Sequence, residues 1–199
     1  MLLTLSILFM DVALGQMKVR LGATAGFNFA SITSGEEMLD LKAGIRTGAV
    51  ADFGFGKMFS LSPELLFCQM GWVDNGFEGE TRKATINCVQ MPVNLKVKIK
   101  LVGDSRLVFI PGVYGSYALS GKAKTVFDDG DKTSNKILLG TKDGYYNPLD
   151  IGINLGMGAE IKSIMFNLQF HIGMKNISNN RSYEITNAAL SLNVGYFFK

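Results

Sequence analysis

The residues of this chain that could do chemistry are charged side chains recurring at alternate positions of otherwise apolar segments. These positions are Arg20, Arg46, Asp52, Glu64, Lys96, Lys98, Lys100 and Glu160. A period of two places such residues on one face of a β-strand. Charges withdrawn from water are costly unless opposite charges pair, and removing one partner leaves the other uncompensated. We therefore predict a connected ionic network on the polar face of a sheet.

Histidine and cysteine offer few further sites for chemistry. His171 is the only histidine, which excludes a His-rich metal site, and no serine or cysteine of a neighbouring strand is predicted at triad geometry. Cys68 and Cys88 share the polar-face parity and lie roughly level, which leaves a cross-strand disulfide and two buried thiols as open alternatives. The stretch "FDDGDKTSN" (127–135) clusters carboxylates but lacks EF-hand spacing. We predict no catalytic residue, no metal and no cofactor.

The segment "IMFNLQFHIGMK" (164–175) shows which kind of element positions these side chains. Every second residue from Ile164 is apolar, whereas the intervening series contains Asn167, Gln169 and His171. A period of two with chemically opposite faces is typical of a β-strand. The sequence therefore predicts a strand whose polar face carries the histidine.

Eight segments follow this two-residue period, and none shows a 3.6-residue pattern. They are 18–29, 41–55, 59–72, 86–101, 107–119, 149–161, 164–175 and 187–199. Tight turns (56–58, 102–106, 162–163) alternate with longer polar connections (30–40, 73–85, 120–148, 176–186). Strict alternation puts every short turn at one end, as in outer-membrane barrels. The predicted fold class is all-β: an eight-stranded antiparallel up-and-down transmembrane β-barrel.

The composition of the two faces indicates which one meets lipid. The polar series of segment 149–161 contains Gly152, Gly156 and Gly158, and small residues suit the crowded inside of a narrow barrel. Aromatic residues of the apolar series gather near the short turns, as in an interfacial girdle: Phe55, Phe59, Phe109, Phe166, Tyr196 and Phe198. We predict the apolar face against lipid; a soluble ligand-binding barrel with that face inside is the alternative.

A turn at 162–163 fixes the register of one strand pair. With two residues in the turn, Asp150 lies opposite Lys175 near the long loops. The same register sets Asn154 opposite His171. We predict an ordinary cross-strand ion pair between Asp150 and Lys175, with a gate or a ligand contact as the alternative.

The first fifteen residues and the net charge indicate an exported protein that does not bind nucleic acid. Residues 1–15 are mostly apolar and end in Ala13-Leu14-Gly15, so we predict a signal peptide, weak or truncated because it has no basic start, that is cleaved before Gln16. Residues 16–199 then form the barrel domain. Lys and Arg number 20 against 17 Asp and Glu, a net charge of +3, without the basic run that nucleic-acid binding requires.

Five strand segments carry a family resemblance: "LSPELLF" (61–67), "MPVNLKVKI" (91–99), "LVFIPGVYGSYALSG" (107–121), "IGINLGMGAEI" (151–161) and "LSLNVGYFF" (190–198). In these segments the chain resembles the PorT-type outer-membrane β-barrel family, often labelled the porin family, of Bacteroidetes-like Gram-negative bacteria. The resemblance implies an eight-stranded barrel in the outer membrane, and one namesake is an accessory of a protein secretion system. It implies no catalytic residues.

The combined expectation is a monomer in the cell outer membrane with a structural or interaction role. Its expected partners are outer-membrane lipid and an unidentified protein contacted through the long loops, of which 120–148 is the largest. Eight strands leave an interior just wide enough for side chains, which disfavours a broad pore. A narrow transport channel and a soluble lipocalin-like barrel are the alternatives, and an enzyme is not expected.

Overall fold

The structure of this chain, a computed structural model, describes residues 17–34, 37–75, 80–127, 130–140, 142, 146–179 and 184–198. The strands are β1 (Lys18–Ser34), β2 (Glu37–Met38), β3 (Asp40–Phe55), β4 (Phe59–Asp74), β5 (Glu80–Lys100), β6 (Ser105–Phe127), β7 (Lys132–Ile137), β8 (Leu149–Ile161), β9 (Ile164–Gly173) and β10 (Ile185–Phe197). In the described part of the chain, no helix is long and apolar enough to cross a membrane. The predicted signal peptide lies outside the described residues.

Eight of these strands close into one antiparallel ring. The order around the sheet is β10, β9, β8, β6, β5, β4, β3 and β1, and β10 pairs again with β1. That closing pair runs from Gly22 opposite Phe197 to Ser34 opposite Ile185. β2 folds back on β1 and β7 pairs with β6, so neither belongs to the ring. The predicted eight-stranded barrel is confirmed.

The three predicted tight turns connect neighbouring strands at one end of the ring. They join β3 to β4, β5 to β6, and β8 to β9. In the last of them Lys162 has a φ of 55°, a left-handed conformation that suits a two-residue hairpin turn. Asn154 lies opposite His171, as the turn predicts. The longer connections lie at the opposite end, which in outer-membrane barrels faces the cell exterior.

Three strands extend further toward the long loops than the sequence predicts. β1 continues to Ser34, β5 begins at Glu80 and β6 continues to Phe127. Their Lys, Thr and Ser residues have the composition of loops, yet the backbones of β5 and β6 pair as far as Glu80 opposite Phe127. The predicted loop bounds are therefore wrong here, because β5, β6 and β7 form a sheet beyond the barrel rim.

Burial alternates along each strand and separates two surfaces. In β8, Leu149, Ile151 and Ile153 are exposed, whereas the intervening Asp150 and Gly152 are buried. All six aromatic residues of the predicted girdle are exposed on the same apolar surface. Because this apolar surface surrounds the barrel while the buried polar and charged side chains point inward, the apolar face meets lipid. The soluble-barrel alternative is wrong.

Candidate functional site

An ionic network occupies the short-turn end of the barrel interior. Its two acids are Asp52 on β3 and Glu160 on β8, both buried. Arg20 contacts both: its Nη2 lies 2.5 Å from Asp52 Oδ2, and its Nη1 lies 2.8 Å from Glu160 Oε1. Lys98 Nζ lies 2.6 Å from Asp52 Oδ2 and 3.9 Å from Glu160 Oε2. Arg106 Nη1 reaches Glu160 Oε1 at 2.9 Å, so cations from β1, β5 and β6 meet on two carboxylates.

Further side chains surround the Asp52 carboxylate. Ser60 donates a hydrogen bond to Asp52 Oδ1 at 2.6 Å, and Lys96 Nζ lies 3.9 Å from the same oxygen. The ring of Phe197 lies 4.2 Å from Arg20 Cζ and 5.3 Å from Lys96 Nζ. Cations are attracted to aromatic faces at these distances. The ring therefore offsets part of the excess of cations over acids in the network.

Arg46 and Glu64, which the sequence assigns to the same network, lie apart from it. The Arg46 guanidinium donates to Gln90 Oε1 and lies 3.7 Å from Cys68 Sγ. Glu64 accepts a hydrogen bond from Asn94 at 2.9 Å. Within the described residues, neither Arg46 nor Glu64 forms an ion pair. The single network predicted from the sequence is divided into an ionic part at the short-turn end and a hydrogen-bonded part further inside.

Neutral amides fill the middle of the barrel. Asn154 donates to Asn94, and Asn193 donates to Asn167 at 2.9 Å. The close approach of Gly112 leaves room for the first pair, since a Cβ there would lie 2.8 Å from Asn154 Nδ2. Buried polar groups are tolerated when they hydrogen-bond to one another. The middle of the interior thus contains hydrogen-bonded pairs of amide side chains.

Asp150 forms hydrogen bonds instead of the predicted ion pair. Tyr114 Oη donates to Asp150 Oδ2 at 3.2 Å, and Asn187 Nδ2 donates to the same oxygen at 2.9 Å. Among the residues that the structure describes, no ion pair joins Asp150 to Lys175. β9 ends at Gly173, so Lys175 lies beyond the last residue paired with β8. The predicted ion pair is therefore not formed: Asp150 accepts hydrogen bonds from Tyr114 and Asn187, and Lys175 lies two residues beyond the end of β9.

His171 has a serine neighbour that the sequence prediction missed. Its Nε2 lies 2.9 Å from Ser191 Oγ on β10, and both residues are buried. In the described residues no partner hydrogen-bonds His171 Nδ1, whereas a catalytic triad needs a carboxylate there. The signal was available in the period of β10, which places Ser191 on the polar face opposite Gln169.

Cys68 and Cys88 are directly opposite each other on β4 and β5. Both are buried free thiols, and Cys88 Sγ lies 3.4 Å from the carbonyl oxygen of Cys68, to which it donates. Of the two alternatives that the sequence leaves open, the structure has the two buried thiols.

An apolar cluster, here called the outer cluster, closes the interior at the long-loop end. Its buried members are Ala30, Leu66, Cys68, Met70, Ile86, Cys88, Ala118 and Ala189, with Trp72, Ile137, Leu139 and Tyr146 packed against them. Leu139 and Tyr146 belong to the connection between β7 and β8, so these two residues of the connection pack at the mouth of the barrel. The sequence prediction missed the cluster because it treated inward positions as polar, although Leu66, Met70 and Ile86 have inward parity.

Hydrogen bonds join two of the long connections above the outer cluster. Within the connection before β8, Tyr146 N donates to Leu138 O at 2.8 Å. Between the connections before β8 and before β10, Asn147 N donates to Ile177 O at 2.8 Å. Asn187 Nδ2 donates to Tyr146 Oη at 3.2 Å. Burial raises the pKa of the Tyr146 hydroxyl, which therefore stays protonated. The described parts of the connections before β8 and before β10 are thus joined by hydrogen bonds.

Two remaining sequence predictions concern charged residues outside the interior. Lys100, predicted to point inward, is exposed because it is the last residue of β5 at the short-turn rim. In the acidic stretch 127–135, Asp128 and Asp129 lie outside the described residues. No group of His, Cys, Asp and Glu that could hold a metal ion occurs in the part of the chain that the structure describes.

Comparison with known proteins places this architecture among outer-membrane proteins. Residues 14–179 match the family of the outer membrane protein beta-barrel domain. The chain is similar to Ail, the attachment invasion locus protein of Yersinia pestis, at 10% identity and a TM-score of 0.48, covering 91% of this chain and 99% of that one. It is similar to Neisserial surface protein A at 10% identity and a TM-score of 0.47, covering 89% and 97%. No curated relative matches the chain.

Proposed function

This chain belongs to the outer membrane protein beta-barrel domain family, and from that premise we propose that it is a closed barrel with a structural or interaction role. The barrel anchors the chain in the outer membrane, and the long connections and the sheet of β5, β6 and β7 form the surface offered to a partner. It acts as a monomer in this proposal.

The filling of the interior is the observation that supports this proposal. The ionic network lies at the short-turn end, amides fill the middle, and the outer cluster covers the long-loop end. An eight-stranded barrel has room for little more than its own side chains. A transport channel needs a continuous wet path, so the interior favours an anchoring role over the channel alternative.

Two narrower statements belong to the same proposal. The buried His171 and Ser191, without a carboxylate on Nδ1 among the described residues, support a role other than catalysis.

The PorT-type resemblance supports a contribution to protein secretion through a partner bound at the loops. Comparing the proteins that cells release with and without this chain tests the second statement. An unchanged set of released proteins would contradict it and leave the anchoring role.

Planar-bilayer recording tests the closed barrel. We expect no stepwise conductance from the wild type, and none from Glu64→Ala, which removes an interior acid that lies outside the ionic network. A general porin recorded in the same bilayers shows that insertion is detected. Reproducible unit conductance from the wild type would overturn the closed-barrel proposal in favour of the channel.

We also propose that residues 1–15 are removed during export. The protein isolated from outer membranes should begin at Gln16 when its N-terminus is sequenced. A membrane-inserted protein that retains the first fifteen residues would contradict the predicted cleavage.

A further inference from the structure

The outer surface of β5 changes character in regular steps as the strand leaves the membrane. From the apolar Met91 and Val89, the outward series continues through Asn87 and Thr85 to Lys83. Successive outward residues of a strand lie roughly 7 Å apart. The face therefore passes from lipid contact through hydrogen-bonding side chains to a charged residue within a few steps.

A β-bulge gives β6 the same profile. The register between β5 and β6 shifts between Asn87 and Cys88, and beyond the shift Ser120 lies opposite Asn87. Because a one-residue shift moves side chains to the other face of a strand, Lys122 and Lys124 now point outward beside β5. Without the bulge, both lysines would point toward the barrel axis.

Four lysines of this surface lie opposite one another as two cross-strand pairs. Lys83 is directly opposite Lys124, and Lys122 is directly opposite Lys136 of β7. Cross-strand partners share one face of a sheet, and like charges directly opposite are destabilising. All four are exposed, and among the described residues none of the four forms an ion pair. A bound anion would relieve this repulsion.

A groove of about 630 Å³ lies between two of the lysines and a group of hydrogen-bonding side chains on β4, β5 and β6. Gln69 Nε2 donates to Asn87 Oδ1 at 3.2 Å, and Asn87 Nδ2 donates to Ser120 Oγ at 3.0 Å. Lys122 and Lys136 line the groove beside this chain of amide and hydroxyl groups. The groove combines hydrogen-bonding groups with two ammonium groups, which suits an anionic headgroup.

We propose that the lysine face, defined as Lys83, Lys122, Lys124 and Lys136 together with this groove, binds the phosphate groups of the glycolipid in the outer leaflet of the outer membrane. Each ammonium group pairs with phosphate oxygens, and the positive charge of the four lysines complements a polyanionic headgroup. Lysines close to an anionic lipid surface add to membrane attraction individually. The lysine face therefore holds the phosphorylated glycolipid next to this side of the barrel.

The position of the lysine face favours a lipid over a soluble polyanion. Tyr117 and Leu119, each 55% exposed, lie on β6 just below Ser120 and continue the lipid-facing surface. A headgroup on Lys122 would leave its acyl chains against these apolar side chains. A polyanion in solution has no acyl chains, so it would gain nothing from the apolar side chains beside the lysines.

Titration with bisphosphorylated lipid A of the full protein, folded in detergent, tests the proposal, with bound lipid counted by native mass spectrometry. A lysine near an anionic lipid surface contributes roughly a five-fold change in affinity. We therefore expect the double variant Lys122→Gln/Lys136→Gln to bind roughly 25-fold more weakly. The matched control is Lys18→Gln/Lys57→Gln, which removes two exposed lysines at the opposite end and should bind like the wild type.

Three outcomes would overturn the lysine face as a lipid site. They are unchanged binding by the double variant, equal binding of lipid A from which both phosphates have been removed, and tighter lysine-dependent binding of a soluble sulfated polysaccharide. Loss of binding in the double variant alone, with the control unchanged and dephosphorylated lipid bound weakly, supports it. A change of gel mobility on boiling shows that each variant is folded.

Discussion

At the scale of single residues, two carboxylates hold the short-turn end of the barrel together. Asp52 and Glu160 are each only 1% exposed and contact cations from three other strands. Desolvation penalises every charge in such a place, and opposite charge is the compensation. Removing one carboxylate therefore lowers the free energy of unfolding by more than the loss of its own contacts, because it also leaves buried cations unpaired.

Asp52→Asn should lower the free energy of unfolding by about 3–5 kcal/mol, because Arg20 and Lys98 lose the charge that compensates them. Glu80→Gln is the matched control: its partner Arg82 lies 3.2 Å away on the exposed surface, where such pairs contribute about 0–1 kcal/mol. Urea unfolding of both variants in the same lipid vesicles measures the difference. Equal losses would mean that the ionic network does not stabilise the barrel.

Apart from Lys100 at the short-turn rim, the sequence predicts which charged residues of the network point inward but not which of them touch. Alternation fixes the face of Arg20, Asp52 and Glu160. Contacts across the interior depend on how the closed ring staggers its strands, and no single strand contains that information. Arg46 shares a strand and a face with Asp52 but lies roughly 20 Å along it, which is why it joins the amides instead.

At the scale of elements, the sequence predicts the ring strands and their tight turns well and the ends of three strands badly. A two-residue period arises where one face meets lipid and the other the interior. Beyond the membrane that contrast fades, so the paired segment 120–127 has the composition of a loop. The bulge beside Asn87 has no sequence signature either, and it decides that Lys122 points outward.

Neighbouring residues of β9 test the assignment of strand faces. Leu168 is 39% exposed on the lipid face, whereas Gln169 is 2% exposed and points inward. Leu168→Arg should therefore cost roughly 2–4 kcal/mol and sharply reduce insertion into lipid vesicles, since a charge on the lipid face is penalised. Gln169→Ala, its control on the same strand, should insert like the wild type. Equal tolerance of the two changes would contradict the assignment of the two faces.

At the scale of the whole molecule, the barrel is closed by hydrogen bonds between its first ring strand, β1, and its last, β10. β1 and β10 pair from Gly22 opposite Phe197 to Ser34 opposite Ile185, so the ring closes only when β10 is in place. Closure also removes the unpaired edges that an open sheet of this length would expose. The ionic network depends on the same closure, since Arg20 of β1 contacts Glu160 of β8 across the interior.

Leu192 lies in β10, which pairs with β9 on one side and with β1 on the other. It is opposite Leu168 of β9 and Phe27 of β1. Leu192→Pro removes a ladder N–H from a central strand and should prevent closure. We expect unboiled wild type to migrate as a compact band that shifts on boiling, and Leu192→Pro to migrate identically with and without boiling. Leu192→Ala, which keeps the N–H, should still shift. A boiling-dependent shift in the proline variant would show that the ring closes without the ladder of β10.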